Sequence, residues 1–466
     1  MHFLLLNPAG KLAYTRDYFC SKVTKADYAE HPVDLLLLSG ILFNAGHRIT
    51  VIDAIAERLD PLCLKQRIDA LSIDVVIFLT GMVSWKDDFE FLEKIKHSRP
   101  RLLLIGLGDI FLEPHAFVNN NWIDAVLLDF TSSEVLEFCN GSDKNFLSIS
   151  FRRGEKLYLA SRQRSSGKFI IPIPRHELFL AKKYSFPFAR RLPFTTLLTD
   201  YGCPFRCPFC IYPTLGFKLR ELDNVFDELR YIYSLGIREL FVKDQSFGSD
   251  RARTIALCQG MRKIGKLSWT CFLRTDIADQ ELLREVKESG CHTVLFGVES
   301  ANEQILEKYK PGVKKSDIHN AFRLCRILGI DTVGIFILGF PQEDKKSCME
   351  TIDFALKLKC DFASFNVFVP KIETPLRKEM IAQHLVDEND TQIFDQSGIV
   401  SAWHNEYLTE SQLIGLRRFA LRKFYLRPSY IFKRLLKSLS SIARTKILFK
   451  SAFFILRDSL GNKTLR

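Results

Sequence analysis

Three cysteines, Cys203, Cys207 and Cys210, fall within eight residues in the run Asp200-Tyr-Gly-Cys-Pro-Phe-Arg-Cys-Pro-Phe-Cys. Thiolates are ligands for soft metals and iron–sulfur clusters, and the spacing C-x3-C-x2-C aims all three at one small centre. A cubane held wholly by protein takes four cysteines, so a set of three leaves one iron free for a substrate or cofactor. A structural zinc site instead wants four closed ligands, and no histidine or fourth cysteine lies between Leu192 and Arg253. The other nine cysteines (Cys20, Cys63, Cys139, Cys258, Cys271, Cys291, Cys325, Cys348 and Cys360) stand singly among apolar neighbours, as buried free thiols do. The trio therefore reads as an iron–sulfur site with an open corner, with zinc and chance clustering as the alternatives.

On these residues the chain resembles the radical S-adenosylmethionine enzymes, whose hallmark is C-x3-C-x-aromatic-C, the aromatic here being Phe209. The resemblance implies a [4Fe–4S] cluster whose free iron is chelated by the amine and carboxylate of S-adenosylmethionine. It implies reductive cleavage to methionine and a 5'-deoxyadenosyl radical, which abstracts hydrogen from an unactivated carbon. It further implies an electron donor such as flavodoxin or ferredoxin.

The elements that must position such a site come in two series. Over residues 1–130, apolar runs at His2–Leu6, Arg48–Ile52, Ile73–Leu79, Leu102–Ile105 and Ala125–Leu128 alternate with amphipathic stretches near 33–45, 61–71 and 85–98. Buried runs separated by helices predict a doubly wound parallel sheet. Gly46 stands where a left-handed helix cap is expected, and the next strand delivers Asp53 at its carboxyl end, where such folds place ligands. From Phe194 the rhythm resumes, with strands expected near 194–199, 238–243, 268–274, 292–298, 332–338 and 362–368 and helices around 222–234, 250–263, 279–289, 315–328 and 345–358. Six such units predict a partial barrel like that of the radical family, with chemistry at the carboxyl ends of its strands.

The fold class expected is thus α/β: a doubly wound sheet domain over 1–140, a connector with a hairpin around Arg153-Gly154-Glu155 over 141–190, a partial (β/α)6 TIM-like barrel over 191–385, and a basic helical region over 386–466. The run Val33-Asp-Leu-Leu-Leu-Leu-Ser-Gly40, with Ala45-Gly-His-Arg and Val51-Ile-Asp-Ala54, looks like the cobalamin-binding domain of one branch of the family. The glycine-rich turn here is Gly106-Leu107-Gly108-Asp109, and Asp129-Phe-Thr-Ser-Ser-Glu134 replaces the branch's Gly-Glu-Gly-Glu. Cobalamin is expected, against a sheet domain that has lost it or serves the substrate. His47 reads as a surface histidine beside a turn.

By the same resemblance, Asp244 lies along the methionyl end of S-adenosylmethionine, Arg274 pairs with its carboxylate, and Glu299 with Ser300 reaches the ribose hydroxyls or the amine. Gly297 and Gly339 let the backbone approach the adenosine, and Phe209 packs beside the adenine.

Charge locates a further feature. Residues 411–466 hold fourteen Lys and Arg against one acid, Asp458, and so account for the whole excess of +12. Over 411–427 an ordinary helix packed on the barrel is an equal alternative, but over 431–457 aromatics and cations alternate with no acid to pair them. Such a surface attracts anionic lipid, with nucleic acid as the less favoured polyanion. The start of the chain reads as a first buried strand, too short for a signal peptide, and no run approaches the roughly 18 apolar residues of a spanning helix. A cytoplasmic enzyme is expected, peripheral at the inner face of the membrane, acting on a small molecule or lipid by methylation or other C–H functionalisation. The alternatives are a radical methylthiotransferase acting on RNA, with Cys20, Cys63 and Cys139 as a second trio, and a non-catalytic iron–sulfur or zinc scaffold with a membrane-binding tail.

Overall fold

The computed structural model describes all residues except 26–27, 143, 161–163, 183, 388–393 and 439–466. Two compact units divide the described residues: one formed by residues 1–22 and 29–185, the other by 23–28 and 186–438.

In the first unit the apolar runs become strands His2–Asn7, Arg48–Asp53, Val75–Leu79, Leu103–Leu107 and Ala125–Leu127. They pair in parallel, in the order Arg48–Asp53, His2–Asn7, Val75–Leu79, Leu103–Leu107, Ala125–Leu127. Parallel strands are buried on both faces, which is why they read as continuous apolar runs. Helices Val33–Asn44, Pro61–Asp69 and Trp85–Ser98 cross between them, and Gly46 takes φ +79 after the first, as its position required. His47 is half-exposed and packs its ring on Phe3.

The hairpin around Gly154 exists, but as part of the sheet. Strands Ile149–Arg153 and Lys156–Tyr158 add antiparallel to Ala125–Leu127, so this unit runs to Ser185 rather than ending near 140.

The second unit is built on six parallel strands in sequential order: Phe194–Leu197, Glu239–Val242, Ser268–Leu273, Cys291–Glu299, Asp331–Leu338 and Phe362–Val367. Helices Leu222–Ser234, Arg251–Ile264, Gln280–Glu288, Lys315–Leu328 and Lys345–Leu358 return the chain each time, close to the ranges expected. Asp250, Asp279 and Asp344 cap three of them by accepting from backbone N–H groups three residues on. Two short helices, Glu303–Tyr309 and Pro375–Ala382, were not expected.

The basic region begins with helix Glu410–Tyr425, which buries Leu413, Leu416, Ala420, Leu421 and Phe424. Lys423 pairs with Asp353, and the Tyr425 hydroxyl donates to the Ala363 carbonyl, so this stretch packs on the barrel as an ordinary helix. Helix Pro428–Ser438 follows. The rest of the aromatic and cationic run expected over 431–457 lies outside the described residues from 439 on.

Candidate active site

The cysteine loop leaves the first barrel strand and is closed at its base by a two-stranded ladder, Asp200–Gly202 against Gly216–Arg220. Gly202 makes that closure work. It takes φ +81, and a Cβ there would stand 1.9 Å from the Gly216 carbonyl oxygen. The Cys203 N–H donates to that same carbonyl at 2.9 Å, and the Cys210 N–H donates to the Cys207 carbonyl at 3.1 Å. All three thiols are half-buried by residue. Burial pushes Cys203 up to about 12 and raises Cys207 and Cys210 as well, while the charges of Lys310 and Arg274 pull Cys207 back. The ligating species is the thiolate, so a metal must displace these protons, and the two cations lower the cost.

Among the described residues, no three His, Cys, Asp or Glu side chains converge on one point as the ligands of a single ion would. Thiolates that each take a different iron of a cubane need no such convergence. The donor set, three thiols from one short loop beside two cations, thus fits a cluster with one iron left over.

Around the loop, the strand ends supply the residues expected, with partners the sequence did not reveal. Arg274 follows the third strand and spreads its guanidinium over Asp276 (3.0 and 2.8 Å), the Pro311 carbonyl (3.2 Å) and Cys207 Sγ (3.7 Å). Its Cζ lies 3.9 Å from the ring centroid of Phe205, inside the cysteine loop. Glu299 ends the fourth strand in a left-handed conformation, φ +65, just past a bulge opposite Ile335 and Phe336. Such backbone strain persists where its surroundings hold it, and bulges re-aim side chains. The anchor is Lys310, buried, which donates to Glu299 Oε1 at 2.8 Å and to the Gly297 carbonyl.

Gly297 is small for this pair, since a Cβ would meet Glu299 Oε1 at 2.4 Å and Lys310 Nζ at 2.6 Å. At Gly339, φ +87, the corresponding space holds the side chain of Leu413. Both glycines thus admit the protein's own atoms where the adenosine was expected. Phe209 meets Phe340 edge-on at 5.4 Å. Asp244 accepts from the Thr199 and Asp200 N–H groups and the Thr199 hydroxyl, so both its oxygens are spent holding the end of the first strand. The Ser300 hydroxyl is likewise engaged, donating to Glu343 and bonding Thr351.

Sequence reasoning missed Phe205, Lys310, Glu343 and Thr275. Phe205 lies within the cysteine spacing itself, and Lys310 precedes a Pro-Gly turn, so each had a local signal. Glu343 draws two strand ends together, accepting from Gly339 N, Phe340 N and Ser300 Oγ. Burial pushes it up to about 7 against those donors. Thr275, next to Arg274, buries a hydroxyl with no hydrogen-bond partner among the described residues.

Residues 198–355 match the radical SAM superfamily. The chain thus contains a radical SAM domain. It is 28% identical over 420 residues to an uncharacterized methyltransferase of Pyrococcus horikoshii, covering 86% of this chain and 89% of that protein. Its fold is similar to that of the radical S-adenosylmethionine methyltransferase TsrM from Kitasatospora setae, solved with cobalamin and a [4Fe–4S] cluster bound. The TM-score is 0.64 at 19% identity, over 82% of this chain and 78% of that one. It is also similar in fold to the cobalamin-dependent S-adenosylmethionine radical enzyme OxsB, with a TM-score of 0.66 at 16% identity, over 97% of this chain and 71% of that one. The radical SAM match begins at the end of the first barrel strand and contains the cysteine loop, Arg274, Glu299, Lys310 and Gly339.

In the first unit, the carboxyl edge of the sheet carries its own polar groups. Asp53 accepts from Asn7, Tyr184 and the Ile55 and Ala56 N–H groups, and burial raises its carboxyl. Gly81, Gly106 and Gly108 are filled against by Ser21, the Phe111 ring and the Thr80 carbonyl. At the start of helix Trp85–Ser98, the Trp85 indole N–H is buried with no hydrogen-bond partner among the described residues. An orphaned donor at this edge fits a ligand rich in amide carbonyls, as cobalamin is.

Proposed function

We propose that this radical SAM enzyme is a cobalamin-dependent methyltransferase acting on an unactivated carbon of a small or lipid molecule. The observation that carries the reading is the cysteine loop beside Arg274 and the Lys310–Glu299 pair at the carboxyl ends of the barrel strands. The methyltransferase of Pyrococcus horikoshii, matched along most of both chains, supports the reaction class, and the folds of TsrM and OxsB support cobalamin in the first unit.

Cys203, Cys207 and Cys210 would hold the cluster. Bound there, the cluster would supply one electron to S-adenosylmethionine, and cobalamin would carry a methyl group. What the chain itself does is steric and electrostatic. The Gly202 closure fixes the loop, the Lys310 ammonium holds Glu299 in its strained conformation, and Glu343 keeps the ends of the fourth and fifth strands together. Glu299 and Thr275 then present acceptor and donor groups for the cofactor's polar end, inside a barrel that keeps water from a radical.

A methylthiotransferase would need a second trio. Cys20, Cys63 and Cys139 stand on three separate elements, a strand and two helices, without the loop spacing that gathers the first.

For the C-terminal region the reading is peripheral contact with an anionic membrane. Helix Pro428–Ser438 exposes Ile431, Phe432 and Leu436 beside Lys433, a pattern suited to an interface. Among the described residues, no helix is long and apolar enough to cross a membrane.

Anaerobic reconstitution tests the central claim. The expected outcome is a brown protein with four irons and four sulfides per chain, which converts S-adenosylmethionine to 5'-deoxyadenosine or S-adenosylhomocysteine and retains cobalamin through gel filtration. A colourless protein without labile sulfide would refute it. Product mass spectrometry from a total lipid extract would then identify the substrate class.

A further inference from the structure

We infer that Arg274 is a positioning residue for the cluster-binding loop, holding Cys207 and offsetting charge on the cluster, rather than a clamp for a cofactor carboxylate. The inference rests on the iron–sulfur reading above. It follows from how a guanidinium can be used. Arginine offers five N–H groups and binds a carboxylate best through two parallel ones. In Arg274 the Nε and Nη2 edge is filled by the two oxygens of Asp276, at 3.0 and 2.8 Å. The second edge is divided between the Pro311 carbonyl on Nη2, at 3.2 Å, and Cys207 Sγ on Nη1, at 3.7 Å. No pair of parallel N–H groups is left for a second carboxylate.

The plane of the group is also committed. Phe205, two residues before Cys207, lies under the guanidinium with Cζ 3.9 Å from its centroid. Arg274 therefore grips the loop twice, once at a ligand sulfur and once at an aromatic ring, and Asp276 fixes the arginine from behind. The side chain is only 10% exposed, so solvent screens these contacts weakly.

A reduced cluster carries one more negative charge than an oxidised one. A cation that donates to a ligand sulfur favours the reduced state and raises the reduction potential. Removing Arg274 should then make the cluster harder to reduce, whether or not S-adenosylmethionine is bound.

The experiment uses full-length, reconstituted protein and follows the cluster by EPR-monitored redox titration, with cofactor affinity measured separately on the oxidised form. Arg274→Gln should shift the reduction equilibrium about tenfold toward the oxidised state, which is ~59 mV for one electron, with S-adenosylmethionine affinity unchanged. Arg274→Lys keeps the charge without the fork and should shift less. Phe205→Leu should move the potential in the same direction by a smaller amount, because it loosens the grip without touching the charge. An unshifted potential together with lost cofactor affinity in Arg274→Gln would overturn the inference and return the residue to the carboxylate. If Arg274→Gln does not fold or load iron, Arg274→Lys and Phe205→Leu decide, and unshifted potentials in both would overturn it. A wild-type chain that assembles no cluster would instead overturn the iron–sulfur reading on which this one rests.

Discussion

The carboxyl edges of the two parallel sheets are built on opposite plans. In the first unit much of the edge is saturated, with Asp34 Oδ1 and the Trp85 indole N–H as buried exceptions among the described residues. Arg16, buried, donates to Asn7, the Pro8 carbonyl, Ser84 and Asp88, while the other oxygen of Asp88 takes the hydroxyls of Thr80 and Ser84. Asp109 accepts from Ser21 N, Ser21 Oγ and Met82 N. These bonds hold the strands Tyr14–Asp17 and Cys20–Val23 to the sheet. In the barrel, among the described residues, the Thr275 hydroxyl and one oxygen of Asp200 at the strand ends, and the Thr196 and Thr270 hydroxyls within the strands, have no hydrogen-bond partner. Burial and the nearby Asp244 raise the Asp200 carboxyl well above its usual range. An unmade bond in a buried site costs roughly 1–3 kcal/mol, so a protein tolerates several together chiefly where a ligand completes them. The fuller edge holds a hairpin to its sheet, and both edges keep buried groups that a bound cofactor would complete.

The largest effect should come from breaking the saturated edge. Arg16→Met leaves Asp88 buried without its cation, a change that costs about 3–5 kcal/mol. Even with Arg16 present, burial pushes Asp88 up to about 6. A raised carboxyl favours folding while it is protonated, and that contribution is lost as pH rises through the folded value. The deficit of Arg16→Met should accordingly be larger at pH 8 than at pH 5 in urea unfolding. An equal deficit at both would show that Asp88 does not govern it.

Much of this contrast was hidden in the sequence for physical reasons. Among the described residues, the eleven parallel strands were legible because strands buried on both faces read as apolar runs, and the crossover helices because their faces and caps are local. The hairpin that seals the first edge was not. Its turn is made by Tyr18 and Phe19, both at positive φ (+50 and +52), where glycine or asparagine would have been the signal. Burial against Phe130 holds these rings in place, and burial is a tertiary fact. In the barrel, the cysteines, Arg274 and Glu299 were legible from spacing and position at strand ends. That Arg274 faces Asp276 and that Lys310 anchors Glu299 across eleven residues required the turns between them. Nor could spacing show that Cys258, Cys271 and Cys291, scattered along the chain, come close enough for their thiols to influence one another in the barrel core.

A smaller effect belongs to Glu343, a barrel carboxylate built on the saturated plan. Glu343, pushed up to about 7, contributes its stability in full below the ordinary glutamate value, and that contribution is lost as pH rises through 7. Glu343→Gln imitates the protonated form and can still accept from Gly339 and Phe340. It should match the wild type near pH 5 and exceed it at pH 8 by on the order of 2–3 kcal/mol. Parallel pH dependence of the melting temperature in both proteins would contradict this role.

The smallest change bears most directly on the unsaturated edge. Thr275→Val removes one hydroxyl and keeps the shape, and among the described residues that hydroxyl has no hydrogen bond to lose. The ligand-free variant should therefore be as stable as the wild type or more stable by up to ~1 kcal/mol, since an unsatisfied buried group is gone. Threonine at an ordinary saturated position would behave the other way, losing about 1 kcal/mol. If the hydroxyl is kept for the cofactor, the same variant should bind S-adenosylmethionine about tenfold more weakly, the loss of one hydrogen bond of about 1.4 kcal/mol. Equilibrium dialysis on the reconstituted, oxidised protein measures the second quantity and thermal unfolding the first. Only opposite signs in the two support the comparison. Loss of stability with unchanged affinity would mean that Thr275 finds its partner inside the protein and that the barrel edge is as closed as the other.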